Sequence, residues 1–338
     1  MHDLAFPLLV GLIAVALAFD YLNGLHDAAN AIATVVATRL LSPVRAVAFA
    51  AFFNFAAYFL TLAFPSLHAV AATIGKGLIE ADAITPAVIF GALGGAMFWN
   101  VVTWLRGIPS SSSHALVGGL IGAGVAHGGL HVVQWWGGLN KTLLAIVLSP
   151  TIGMILAMLV MLASSWLFRR ATSSGAERSF RRLHLMSSAA YSLSHGLNDA
   201  QKTMGIITVL LYSTGRLHGP FEVPPWVALS CYVAIALGTV TGGWKIIETM
   251  GSRITKLSQH QGFSASLAGS IVLFGASALG VPVSTTHTIT GAIVGAGTAR
   301  RASSVRWGVA GNVVIAWIVT IPASAAVGAL FYGLTLLF

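Results

Sequence analysis

Two aspartates and two Ser/Thr-His runs are the residues of this chain with the clearest chemical potential. Asp27 stands in NGLHDAAN (23–30) and Asp199 in HGLNDAQK (195–202). The two octets match at Gly24/Gly196, Leu25/Leu197, Asp27/Asp199 and Ala28/Ala200, an offset of 172. An acid inside an apolar stretch is a functional candidate by default, because its charge is costly in hydrocarbon. The other pair is Pro109-Ser-Ser-Ser-Ser-His114 and Pro282-Val-Ser-Thr-Thr-His287. Proline suits the first turn of a helix. The Ser and Thr that follow can cap it and leave free N–H groups at a positive dipole end. Such an end binds an oxyanion, with hydroxyls as further donors. The plainer alternative is that these residues only satisfy backbone or pack small between membrane helices.

The remaining acids are few. The chain has 9 in all. Asp3 is terminal, and Glu80, Asp82, Glu177 and Glu222 fall in polar connections. Asp20 precedes Asp27 by about two helical turns and could share its face. Glu248 follows Lys245 at i+3, which reads as a salt bridge at a helix end. A Ser/His/Asp hydrolase is the rival from another class. Ser113 and His114 are adjacent, about 100° apart on a helix, so they cannot pair. No nucleophile-elbow GxSxG is present.

The elements that must hold these residues are membrane helices. Of 338 residues, 18 are Lys or Arg and 8% are charged, against 56% apolar; mean hydropathy is +0.85. A water-soluble surface cannot be built from so few charges, which excludes a soluble enzyme or nucleic-acid module. The formal charge of +9 then marks cytoplasmic loops, not a nucleic-acid surface. Cys231 is the single cysteine, so no intramolecular disulfide forms, and nothing resembles a zinc or haem site. The start, Met1-His2-Asp3, lacks the basic region of a cleavable signal.

A span needs about 20 mostly apolar residues. Strong candidates are 4–23, 46–64, 84–105, 143–168, 226–247 and 305–335. More polar ones at 24–41, 66–80, 108–126, 185–213, 263–280 and 282–299 should face other helices or a water-filled cavity. The connection 169–182 holds five arginines against Glu177 and is expected in the cytoplasm. It divides the chain into a first repeat, 1–168, and a second, 183–338. Residues 107–126 align without gaps to 280–299, with nine of 20 positions identical. Two motifs in one order at nearly one offset indicate duplication, a signature of secondary transporters. Within it, Gly118/Gly122 and Gly291/Gly295 read as close helix packing. Each Ser/Thr-His motif follows a short apolar run and precedes a Gly-rich one, which suits a re-entrant hairpin. The expected fold is an all-α polytopic membrane protein of two inverted repeats, each with a re-entrant Ser/Thr-rich helical hairpin.

FDYLNGLHDAANAIATVVATRLLSP, SHGLNDAQKTMG, PSSSSH and PVSTTH resemble the signatures of the inorganic phosphate transporter (PiT) family, closest to its bacterial low-affinity Pit branch. The likeness runs from about residue 10 to 335. It implies a multi-pass bacterial plasma-membrane carrier of inorganic phosphate, usually dimeric, with no cofactor of its own. It places substrate ligands on Ser111, Ser112, Ser113 and His114 and on Ser284, Thr285, Thr286 and His287. It places ion or proton coupling on His26, Asp27, Asn30, Asn198, Asp199 and Lys202. The sodium-coupled pattern, GxNDxANA, is broken by His26 in the first half and by Gln201-Lys202 in the second. Those departures belong to the Pit branch, regarded as proton-coupled and as carrying neutral metal-phosphate complexes. Asp27 and Asp199 are then the expected ligands of a metal such as Mg2+. A sodium-coupled phosphate symporter, and a carrier of another oxyanion such as sulfate, are the alternatives.

The charge balance favours protons over sodium. A phosphate dianion beside Asp27 and Asp199 gathers about four negative charges, so cations must be present. A lysine at 202, where sodium-coupled relatives carry asparagine, could supply positive charge permanently. His26 is the natural proton carrier, or else a packing residue, since neighbours in a helix do not face each other.

Overall fold

A computed structural model describes residues 5–337; Asp3 and Leu4, the expected start of the first span, lie outside the described residues. Among the described residues, twelve α-helices carry the fold. They are α1 (Phe6–Ala37), α2 (Pro43–Ala63), α3 (Ala69–Lys76), α4 (Pro86–Arg106), α5 (Ser112–Gly128) and α6 (Asn140–Leu167). The second half repeats the order: α7 (Ser173–Ser213), α8 (Pro225–Thr241), α9 (Trp244–Glu248), α10 (Gln259–Ala278), α11 (Thr285–Arg300) and α12 (Trp307–Leu334). Among the described residues, β pairing is confined to one isolated bridge, Ile79–Val133.

Five helices are long and apolar enough to cross a membrane, and the α8–α9 pair, bent by 68°, makes a sixth. Their outer faces are unpaired hydrocarbon: Phe52, Phe59, Val147, Leu162, Ile318 and Leu330 are all exposed. The interior is the polar part, as expected where lipid replaces water outside.

Four expectations change. Residues 4–23 and 24–41 form one helix, α1, not two spans. Its polar half stays helical because Asn23, His26, Asp27, Asn30 and Thr34 all find partners inside the bundle. Residues 66–80 hold only a turn and the eight residues of α3. The segment 169–182 is helical from Ser173 on, capped by the Thr172 hydroxyl. Glu248 pairs with Arg253 at 2.9 Å, while Lys245 caps the Leu105 carbonyl at 2.9 Å. In addition, α4 has 21 residues, longer than the short run expected before the first Ser-rich motif, and by length and composition could itself cross.

The halves exchange partners. Helix α1 packs on α8 as α7 packs on α2, and α5 packs on α12 as α11 packs on α6. Both hairpin turns pivot on a left-handed glycine, Gly107 and Gly280, each at φ +65°. Each turn is then held by the other half: Thr249 donates to the Gly107 carbonyl (3.0 Å) and Thr73 to the Gly280 carbonyl (2.7 Å). The two tips meet at Lys202, which bonds Ser113 of one and the Val283 carbonyl of the other.

One end gathers the connections 38–42, 168–172, 254–258 and 301–306, through Gln259 to Thr38 (2.9 Å), Thr255 to Ser304 (3.1 Å) and the Phe168–Phe180–His260 stack. Arg39, Arg169, Arg170, Lys256, Arg301 and Arg306 lie within those connections, and Arg253 and Arg300 next to them. Lys76, Lys141 and Arg216 lie outside them, as do Glu80, Asp82 and Glu222.

The glycine pairs are contact points, as their spacing predicts. A Cβ on Gly122 would run into the Ala325 carbonyl of α12, and one on Gly295 into the Met154 carbonyl of α6. Gly122→Ala or Gly295→Ala should therefore cost about 1–3 kcal/mol of overpacking. The readout is a lower midpoint for loss of monodisperse protein on heating. Gly11→Ala, which meets open space, should leave that midpoint in place.

Candidate functional site

The hairpin tips build the centre from their helix starts. Ser111 caps α5 by accepting from the His114 N–H, and Ser284 caps α11 by accepting from the His287 N–H, both at 3.2 Å. These two hydroxyls serve their own helices. The next two residues of each helix, Ser112 and Ser113, Thr285 and Thr286, occupy the first turn, where N–H groups have no intrahelical partner. The hydroxyls of Ser112, Thr285 and Thr286 point at the two aspartates, and that of Ser113 faces Lys202.

Asp27 on α1 accepts from Ser112 (2.8 Å) and Thr285 (3.4 Å) at Oδ2 and from Thr286 (3.4 Å) at Oδ1. His26 Nδ1 lies 2.9 Å from the same Oδ1. Thr285 also donates to Asp199 Oδ2 on α7 at 3.1 Å, so one hydroxyl of the second hairpin lies between the two acids. Asn30 donates to Thr286 (2.9 Å) and Thr285 (3.3 Å). Two like charges so close in a dry interior need compensation. Lys202 supplies it. Its ammonium has three N–H groups and three acceptors: Asp199 Oδ1 (2.5 Å), Ser113 Oγ (2.5 Å) and the Val283 carbonyl (2.9 Å). Every one of these side chains is buried, Ser113 the most open at 6%. The centre is closed to both ends of the bundle.

The sequence-predicted residues fall into two groups. Asp27, Asn30, Asp199, Lys202, His26, Ser112, Ser113, Thr285 and Thr286 form the continuous network just described. Ser111 and Ser284 sit beneath it as caps. His114 and His287 lie outside it and pack on each other, ring centroids 4.4 Å apart, with His287 stacked on Trp317 at 3.8 Å. Neither ring hydrogen-bonds an aspartate among the described residues. Asn198 turns away from the acids and donates to Ser277 at 3.1 Å. His26 does meet Asp27 despite adjacency, because its other nitrogen is drawn to Thr103 (3.1 Å) and Ser110 (3.4 Å) on the first hairpin.

Sequence reasoning passed over three participants. Asn23 accepts from Ser112 at 2.6 Å. His195 places Nε2 3.3 Å from Asp199 Oδ2 while its Nδ1 meets Asn54. Tyr191 donates to the Thr285 carbonyl at 3.1 Å. Asn23 and His195 each stand four residues before an aspartate, one helical turn, and that shared offset was the available signal. Asp27, Asp199 and His195 each offer a ligand atom within 4.8 Å of the others.

Comparison with known proteins gives this arrangement a setting. The profile of the phosphate transporter family matches residues 23–328. A protein of Rhizobium meliloti (strain 1021), named "probable low-affinity inorganic phosphate transporter", is 61% identical over 329 residues, 97% of each chain. One of Bacillus subtilis (strain 168) with the same name is 40% identical over 332 residues, 98% of each. A solved structure titled "The sodium-dependent phosphate transporter" superposes with a TM-score of 0.85 at 26% identity, covering 98% of this chain and 100% of that one.

The two tiers of hydroxyls should separate on substitution. Ser112→Ala or Thr285→Ala removes a donor aimed into the centre, and a hydrogen bond to a charged group is worth roughly 1.5–3 kcal/mol, about a 10- to 150-fold loss of phosphate affinity. Ser111→Ala or Ser284→Ala removes a cap and should cost about 1 kcal/mol of stability. Phosphate binding and thermal stability measured on the same purified variants test both; equal affinity in wild type and a Ser112→Ala/Ser113→Ala double variant would remove the oxyanion site.

Proposed function

The chain belongs to the phosphate transporter family, and from that premise we propose that it carries inorganic phosphate into the cell by proton symport, with Lys202 in the place of a coupling sodium ion. That it transports inorganic phosphate, as a multi-pass plasma-membrane protein and not an enzyme, rests on the family match and the bacterial relatives. One observation carries the finer reading. The Lys202 ammonium is coordinated by a carboxylate, a hydroxyl and a backbone carbonyl, the oxygen set a hard cation would take. A permanent charge there leaves no role for sodium at that point.

Two helix N-termini and four hydroxyls can replace the hydration shell of a phosphate anion. On binding, the hydroxyls of Ser112, Thr285 and Thr286 exchange carboxylate acceptors for phosphate oxygens, while Ser113, which accepts from Lys202, donates its own hydroxyl proton. A monoprotonated or diprotonated phosphate can donate its own P–OH to Asp27 or Asp199. Sulfate carries no proton at neutral pH and would meet bare carboxylates, so the pair selects against it. A divalent metal such as magnesium, travelling with phosphate as a neutral complex, finds Asp27, Asp199 and His195 as its candidate ligands.

We further infer the membrane topology. Positive-inside asymmetry sets the arginine-rich end in the cytoplasm. With α4 taken as an arm of the first hairpin and the more polar α7 as a span, each half then crosses three times, through α1, α2–α3 and α6, and through α7, α8–α9 and α12. An odd number inverts the second half relative to the first. It makes each hairpin re-entrant from a different side and leaves both ends of the described chain outside.

Transport assays decide the coupling ion. Sodium-free proteoliposomes with an inward pH gradient and magnesium should accumulate phosphate, a protonophore should collapse the gain, and Lys202→Asn should lose it. Uptake that requires sodium and ignores a protonophore would establish the sodium-coupled reading, which the sodium-dependent structural neighbour favours.

A further inference from the structure

Asp20 takes no part in the network at the hairpin tips, yet it is fully buried in the same bundle. It lies where α1 meets α7 and α8, bordered by Asn23 of its own helix, Thr203 of α7 and Cys231 and Tyr232 of α8. Neither carboxyl oxygen has a hydrogen-bond partner among the described residues, and the hydroxyls of Thr203 and Tyr232 have none either. The charged groups that face it both come from α7: Asp199, and Lys202, whose three N–H groups are spent on Asp199, Ser113 and Val283. From α8 the titratable groups are Cys231 and Tyr232. A carboxylate there has only the neutral side chains of Asn23, Thr203 and Cys231 beside it and no free cation, so its charged form is more costly in such a place than a neutral carboxyl.

One residue lies between the seam and the substrate site. Asn23 stands one turn after Asp20, and its Oδ1 accepts the Ser112 hydroxyl at 2.6 Å. That hydroxyl also reaches Asp27 Oδ2 at 2.8 Å. Asp20 is thus separated from a hydroxyl of the oxyanion site by a single amide.

We propose that Asp20 is a proton-binding site of the transport cycle, holding its proton in the closed state and releasing it when the α1–α7–α8 seam meets water. The proposal rests on the proton-symport reading above. An anion at Ser112 and Thr285 disfavours a second negative charge nearby, because charges interact strongly in a dry interior. Phosphate binding therefore retains the proton on Asp20, and by reciprocity the proton strengthens phosphate binding. Cargo and driving ion load together, which is what symport requires. No bond beyond O–H forms or breaks: the proton arrives from water on one side and leaves to water on the other.

Two variants and two assays test it. In sodium-free proteoliposomes, an inward gradient of about one pH unit supports about tenfold accumulation per proton carried. Wild type and Asp20→Glu, which keeps a carboxyl, should approach that ratio. Asp20→Asn, fixed in the neutral form, should exchange labelled phosphate yet stop near equal concentrations. Accumulation by Asp20→Asn equal to wild type would overturn the proposal. So would a shared loss of exchange in both variants, which would make Asp20 a packing residue. The second assay measures the phosphate affinity of purified protein in detergent as a function of pH. Asp20→Asn should show a flatter pH dependence than wild type, and an equal dependence would overturn the proposal whichever ion drives uptake. Sodium-dependent accumulation by wild type would instead strike the symport reading and leave this second assay to judge Asp20.

Discussion

Two carboxylates share the dry middle of this bundle, and the single ammonium of Lys202 is what makes their company tolerable. Ion pairs withdrawn from water recover their desolvation cost only when every donor and acceptor is used. Lys202 meets that condition with three acceptors, one on its own helix and one on each hairpin tip. The same ammonium is therefore an electrostatic partner for Asp199 and a cross-link between α5, through Ser113, and the turn before α11, through Val283. Removing it would leave uncompensated charge and also untie the two tips.

The exchange of partners between the halves puts those tips in register. Each half supplies a long polar helix and a hairpin, but packs its hairpin on the final helix of the other half. Glycines at the crossings let backbones approach where any side chain would collide, as Gly24 does against Ile235 and Gly196 against Asn54. Neither half can close its own site. Asp27 needs Thr285 and Thr286 from the second hairpin, and Lys202 needs Ser113 from the first. The two pairs of short motifs thus meet, in three dimensions, in a single centre with contributions crossing in both directions.

What could be read in the sequence was whatever left a local trace. The Ser/Thr-His runs announced capped helix starts, and Ser111 and Ser284 are those caps. Asp27 and Asp199 were visible because charge is rare in an apolar chain, and Gly122 and Gly295 because small residues recur one turn apart. What was hidden depends on distant partners. Helix α1 looked like two spans because its polar half reads as unsuited to lipid, while the groups that satisfy it lie more than 75 residues away, on Thr103, Ser112, Ser266 and Thr286. Hydropathy cannot report that compensation. Glu248 looked paired with Lys245 by spacing alone, but the π-helical turn at 249–253 brings Arg253 round instead. His114 and His287 were placed at the site by the family resemblance; in the structure one residue of helical rotation turns the two rings toward each other, with His287 stacked on Trp317.

The same geometry constrains how such a site can open. The two tips are joined at Lys202, and Thr285 lies between Asp27 and Asp199. Withdrawing the first tip must break the bond to Ser113, and withdrawing the second must break the one to Val283. Each is a charge-assisted hydrogen bond worth roughly 1.5–3 kcal/mol. Breaking both at once would strip Lys202 down to Asp199 alone. Breaking one leaves the ammonium with two acceptors and room for water or a phosphate oxygen to become the third. A centre built this way resists opening to both sides together and yields to either side singly, which is the physical requirement on any carrier that moves an anion without leaking it.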